Sequence, residues 1–274
     1  MADLFGYVAG IGGHTGTIAA CFRGMPTWCK RPTQTINYAS CHDNMSLFDR
    51  LTLSMPDASE ADRIRMNNLA ASICMTSQGV PFFQAGEEML RSKPLGNGEF
   101  DHNSYSSPDS VNSLKWNDLN NETYRNVYSY YQGLIAFRQA HPALRMTSPE
   151  EVQEKISNLT GLDFNVTGFH IAPGANGDES EIIVIFNPRS EATTVELPEG
   201  KWSICVNHEA AGTQALATAE GTATVEAISA MVLVKGEIPA EGNAAAPSLS
   251  IIGLAAALLV LAGAGFVIFR KKKH

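Results

Sequence analysis

Acidic residues are almost missing from the start of this chain: ahead of His42 there is only Asp3, and no glutamate. That stretch therefore supplies no second carboxylate for paired acid and base work. Cysteine is sparse too. Cys21, Cys29, Cys41, Cys74 and Cys205 are widely scattered, odd in number and without C-x-x-C spacing, which argues against a disulfide framework and a zinc site but fixes no compartment. Basic patches interleaved with aromatics are absent. Together with a net charge of -8 this argues against a nucleic-acid partner. The glycine-rich run Gly10 to Gly16 has neither G-x-G-x-x-G spacing nor a Gly-Lys-Ser/Thr end, so it does not form a phosphate loop. Met1-Ala2-Asp3-Leu4 opens the chain without a basic region leading into an apolar one, so no signal peptide is read here.

What is present is concentrated in a short stretch. Residues 33 to 40 mix β-branched and aromatic side chains without Gly or Pro, which predicts a buried strand ending near Cys41. His42-Asp43-Asn44 follows at once. In parallel α/β folds ligands meet the loops after the strands' C-terminal ends, so Asp43 is a candidate catalytic carboxylate. The plainer alternative makes His42 and Asp43 the N-cap of a helix over 45–53, since Asp and Asn favour such positions.

The motif and its neighbours decide between these. Asn37-Tyr38 followed by His42-Asp43-Asn44-x-x-Leu47 resembles the last of the short shared motifs of the α-amylase family of glycoside hydrolases. Four further runs narrow the likeness: Arg65-Met66-Asn67-Asn68-Leu69-Ala70-Ala71, the run Thr76 to Glu88, Leu90-Arg91-Ser92-Lys93, and the run Tyr130 to Ala143. Together they resemble type I pullulanases, the α-1,6-debranching branch, strongly over 33–145 and by pattern alone elsewhere within 1–237.

The resemblance implies a (β/α)8 barrel with a nucleophilic Asp after the fourth strand, an acid Glu after the fifth and a third Asp after the seventh. With 33–40 as the seventh strand, Asp43 is that third carboxylate, a transition-state stabiliser, and His42 binds the sugar hydroxyls. A retaining mechanism passes through an oxocarbenium-like state, where hydrogen bonds to a flattening ring strengthen. The Arg-x-Asp nucleophile and Gly-Glu-Pro acid contexts have no match. Glu87-Glu88 is a poor substitute, because adjacent strand-end residues point in different directions. The expectation is the C-terminal portion of a longer enzyme, either truncated or completed by another chain, since a whole barrel needs about 250 residues.

Helices are predicted over 59–77 and 121–140, the second with Tyr124, Val127, Tyr128, Tyr131, Leu134, Ile135 and Arg138 on one face. Val80 to Gln84 is the next strand. The loop from Arg91 to Asn120 is long enough to be functional. By the resemblance it lines the site, which makes Asn103, Tyr105 and Asp109 candidate substrate contacts; as turn and cap residues they are equally well accounted for. After residue 143 short β runs at 168–171, 181–187, 192–197, 202–207, 222–227 and 230–234 suggest an antiparallel β-sandwich.

The expected fold class is α/β: the C-terminal part of a (β/α)8 barrel over 1–142, a β-sandwich over 143–237, a linker over 238–250, and a transmembrane helix over 251–269. That last run is uncharged and long enough to cross a bilayer. Arg270-Lys271-Lys272-Lys273 should stay cytoplasmic and hold the rest outside, at the cell surface. Ile238-Pro239-Ala240-Glu241-Gly242 faintly resembles a sortase-type sorting signal, with Glu241 where Thr is expected. The expected partners are a branched α-glucan and the membrane. No cofactor is expected; family members often hold structural calcium, but no EF-hand loop occurs. Two functions stand: part of a surface-anchored debranching glycosidase, or a non-catalytic α-glucan-binding or structural surface protein.

Overall fold

In the computed structural model, residues 6–238 are described. They belong to one compact unit spanning Met1–Ala240. The predicted span 251–269 lies outside the described residues. Among those described, no helix is long and apolar enough to cross a membrane.

Serine and asparagine set the helix starts. Ser46 accepts from Asp49 N ahead of α2 (Leu47–Ser54), Ser59 from Asp62 N ahead of α3 (Glu60–Thr76), and Asn121 from Thr123 N ahead of α5 (Glu122–Ala140). Each cap satisfies one of the orphan N–H groups of a first turn. The earlier elements are α1 (Thr15–Phe22) and a two-residue strand β1 (Ile36–Asn37). β1 is far shorter than the predicted strand over 33–40, because Pro32–Gln34 winds into a 3-10 turn before it and its partner strand is only two residues long. Its parallel partner is β2 (Val80–Pro81), with Ile36 opposite Val80.

The polar run Thr76-Ser77-Gln78 is buried, and α5 supplies the partner for carbonyls in and beside it. The Arg138 guanidinium donates to Met75 O, Ser77 O and Gly79 O at 2.7, 2.8 and 2.7 Å. These carbonyls lie at and just beyond the C-terminal end of α3, where helix carbonyls lack intrahelical partners. Burial pushes the Arg138 pKa down to about 10. Gln78 donates to Ala143 O at 2.8 Å and accepts from Met146 N at 2.8 Å. Gly79 has φ +95, and a Cβ there would sit 2.1 Å from Thr35 Oγ1. Only glycine lets β1 and β2 come this close.

The buried face of α5 is Val127, Tyr130, Tyr131, Gly133, Leu134, Phe137 and Arg138. Tyr128, expected on that face, is 38% exposed, so the stripe is rotated toward Tyr130 and Phe137. Asn67 and Ser72 of α3 bond the Tyr131 and Tyr130 hydroxyls across the helix pair.

A hairpin, β3 (Pro94–Gly96) with β4 (Glu99–Phe100), and the short α4 (Asp109–Asn112) lie in the loop before α5. After α6 (Pro149–Lys155) come β5 (Ile156–Asn158), β6 (Thr167–Ile171), β7 (Ile182–Asn187), β8 (Thr193–Val206), β9 (Ala217–Val225) and β10 (Ser229–Lys235). They make one six-stranded antiparallel sheet ordered β5-β6-β7-β10-β8-β9. Alternation divides β7: Ile182, Val184 and Phe186 join the core shared with α1, α3 and α5, while Ile183 and Ile185 join a second cluster with Val195, Leu197, Trp202 and Val225.

The sandwich expectation is corrected in one respect. The runs 192–197 and 202–207 are not separate strands. They are one strand, β8, whose ladder to β9 shifts register between Glu196 and Lys201. Pro198 and Gly200, the latter at φ +117, bend the ribbon without ending it, so a single sheet covers its own outer face.

Candidate active site

The segment from Tyr38 to Ser46 joins β1 to α2. Because Ser46 caps α2, His42 and Asp43 do not serve as its N-cap. Their side chains stand 87% and 75% exposed, with His42 Nε2 3.5 Å from Asp43 Oδ1. Asn44 adopts left-handed φ of 64, a conformation Asn tolerates better than most residues. It turns the chain sharply beyond Asp43.

Both side chains open on a cleft of about 450 Å³ that Gln84, Arg91, Lys93, Asn103, Ser104, Tyr105 and Asn112 also line. Four candidates are thus brought together: His42, Asp43, Asn103 and Tyr105. Tyr105 rides on the 3-10 turn Ser104–Ser106 at 87% exposure. Buried Asp101 fixes that turn by accepting from Asn103 N at 2.8 Å and from Ser107 Oγ. Asp109 is not among the residues lining the cleft. It opens α4, and its carbonyl accepts from Ser113 Oγ and Lys115 Nζ, so it is a helix-start residue here.

Glu87 and Glu88 do not face the cleft as a pair. Glu87 is buried, accepts from Ser40 Oγ and from Gln84 N at 3.2 Å, and so ties the ends of β1 and β2 together. Burial pushes its carboxyl up to about 7, against the lowering effect of the Ser40 bond. Glu88 accepts from Gly86 N at 2.8 Å. Leu90, just beyond, has φ of 54, a strained value for a leucine that turns the chain into Arg91.

Five cleft residues carry no assignment from sequence: Gln84, Arg91, Lys93, Ser104 and Asn112. Asn112 donates to Ser104 O and Ser107 O and braces the rim. Lys93 is 1% exposed, and its Nζ donates to Asn44 O at 2.9 Å and His42 O at 3.3 Å. Burial, reinforced by Arg91, holds its pKa below the usual lysine range. Asp49, buried on α2, accepts from Ser92 Oγ and from Lys93 N at 2.8 Å. The Leu90-Arg91-Ser92-Lys93 run was a visible motif, but nothing local in it points back to residues 42–49. Among the described residues no group of three or more His, Cys, Asp or Glu converges to hold a metal.

Chemically the cleft offers an exposed carboxylate beside an imidazole, an exposed aromatic ring, amides and two cations. Such a set suits hydroxyl-rich, uncharged ligands: carboxylate and amide groups bond hydroxyls, and an aromatic face covers their apolar ring.

Residues 152–210 match the family model described as pullulanase, all-beta domain. The chain is 32% identical over 190 residues to a pullulanase of Bacillus subtilis (strain 168), covering 69% of this chain and 25% of that protein. Among solved structures it is similar to the pullulanase from Bacillus acidopullulyticus, at a TM-score of 0.79 and 32% identity over 86% of this chain and 30% of that one. It is also similar to pullulanase type I from Bacillus subtilis str. 168 complexed with maltose, at a TM-score of 0.75 and 26% identity over 84% and 32%. The chain therefore spans between a quarter and a third of the length of these relatives.

Proposed function

Because the chain is homologous to the C-terminal portion of type I pullulanases, we propose that it is part of a glycoside hydrolase cleaving α-1,6-glucosidic linkages in branched α-glucans. The observation that carries the proposal is the convergence of His42, Asp43, Asn103 and Tyr105 on one cleft. In a retaining mechanism Asp43 accepts hydrogen bonds from the ring hydroxyls, and these strengthen as the ring flattens. His42 contributes a donor, and Tyr105 offers a ring face to the sugar.

The nucleophile and general acid belong, on this reading, to other strands of a (β/α)8 barrel of which β1 and β2 are the seventh and eighth. Exposed apolar residues along this pair support it: Ile36, Val80 and Phe82 are 61%, 48% and 44% exposed, which is costly unless neighbouring strands and helices cover them. These 274 residues alone should hydrolyse neither pullulan nor starch, whereas the full-length enzyme should release reducing sugar from pullulan. Hydrolysis by the chain alone would overturn the assignment of acid and nucleophile elsewhere. A full-length protein that binds pullulan without cleaving it would favour the non-catalytic glucan-binding alternative.

The surface location is part of the same proposal. Residues 251–269 span the membrane, the Arg270 to Lys273 cluster stays in the cytoplasm, and the 238–250 linker tethers the enzyme toward polymeric substrate. Protease added to whole cells should then cut within residues 6–238, and removal of 251–274 should release active enzyme into the medium. Full protection of 6–238, while other surface proteins are cleaved, rules this orientation out.

A further inference from the structure

We propose that Lys93 is the positioning residue of the His42–Asp43 loop, a role that rests on the glucan-cleaving reading of the cleft. The loop's geometry requires such a device. Asp43 must hold its carboxylate over the cleft while 75% exposed, so neighbouring side chains do not pack it into place. Its backbone turns through the left-handed Asn44. The carbonyls of His42 and Asn44, the two residues flanking Asp43, both point at Lys93 Nζ, at 3.3 and 2.9 Å. An ammonium has three donors and no acceptor, so it fits a site made of carbonyl oxygens.

Lys93 is itself anchored. Its backbone N–H donates to the Asp49 carboxylate at 2.8 Å, the Ser92 hydroxyl donates to the same carboxylate, and Asp49 sits fully buried on α2. The chain of contacts runs from α2 through Asp49 to the Ser92–Lys93 backbone, and from Lys93 Nζ back to the two ends of the Asp43 peptide. Burying an ammonium is costly, and the cost is met only where its hydrogen bonds are made. Arg91 nearby adds to that cost. A methionine of similar length would fill the same space without charge. The lysine thus contributes geometry at the loop, in keeping with the rule that a small misplacement of a reacting group lowers the rate while leaving binding nearly intact.

The test is a double-mutant cycle in the full-length enzyme with Lys93→Met, Asp43→Asn and the pair, read as kcat and KM on pullulan. Lys93→Met alone should lower kcat by between about tenfold and a hundredfold with little change in KM. Hydrogen exchange at the amides of residues 43–45 should quicken. In the Asp43→Asn background Lys93→Met should change kcat little, because the group it positions is already gone. Full additivity of the two losses, or unchanged exchange in the loop, overturns the positioning role even though Asp43→Asn is itself damaging. An Asp43→Asn enzyme of normal kcat overturns the catalytic reading of the loop, and this proposal with it. If Lys93→Met fails to fold, Lys93→Gln, whose side chain is one atom shorter and ends in a neutral amide that cannot reproduce the ammonium's bonds to both carbonyls, takes its place in the same cycle with the same expected loss.

Discussion

Asp43→Asn in the full-length enzyme should lower kcat by on the order of 10²- to 10³-fold, the loss seen when one preorganised group facing developing charge is removed. KM should change little. Asn keeps the shape of the side chain and one carbonyl acceptor but loses the negative charge, so it loses most where positive charge develops on the sugar ring and less in the ground state. His42→Ala should behave differently. Its imidazole stands 3.5 Å from the Asp43 carboxylate and is proposed to bond sugar hydroxyls in both states, so kcat and KM should both suffer moderately. Steady-state kinetics on pullulan separate the two. Equal and small effects of both substitutions would mean that the loop is only the lead-in to α2, whose cap Ser46 supplies without them.

Legibility in this chain depends on how far apart the cooperating residues lie. His42 and Asp43 are adjacent, follow a strand-like run and belong to a contiguous motif, so sequence alone pointed to them. Helices α3 and α5 are visible from the helical spacing of their residues, and the sheet strands from short β runs punctuated by turn signals. Lys93 bonds a carbonyl 51 positions away, and Asp49 bonds an amide 44 positions away; no local pattern encodes either contact. Asp109 shows how a shared loop can separate candidates. It lies within the same loop as Asn103 and Tyr105, but the 3-10 turn at Ser104–Ser106 and the start of α4 separate it from the cleft. The bend in β8 was missed for a related reason: Pro198 and Gly200 carry a turn signal, yet pairing with β9 resumes at Lys201 opposite Glu220. Composition marks the kink; only the partner strand shows that the ladder continues.

Gly133→Ala should be among the most damaging single-methyl changes in the fold, although helix propensity predicts the reverse. In an isolated helix the substitution would be favourable by about 1 kcal/mol. Here a Cβ would lie 1.8 Å from Ala211 O and 2.4 Å from Ala211 C, whereas carbon contacts need about 3.5 Å. Neither side yields readily. On α5, Tyr130 donates to Asn207 O at 3.2 Å and bonds Ser72 of α3 at 3.0 Å. In the loop, Asn207 Oδ1 accepts from Glu209 N and Ala210 N at 2.9 Å each, and Gly212 N donates to Cys205 O at 3.0 Å. Relief therefore requires moving α5 off the β8–β9 end of the sheet, which opens the shared core at Tyr130, Leu134 and Val206. Overpacking against rigid backbone costs about 3 kcal/mol or more, so the clash outweighs the propensity gain. Denaturant unfolding should show the midpoint falling by about 1 M urea or more, for an m-value of about 1–3 kcal/mol/M. A midpoint unchanged or raised would show that the 207–212 loop gives way freely and that α5 and the sheet are not locked together at this seam.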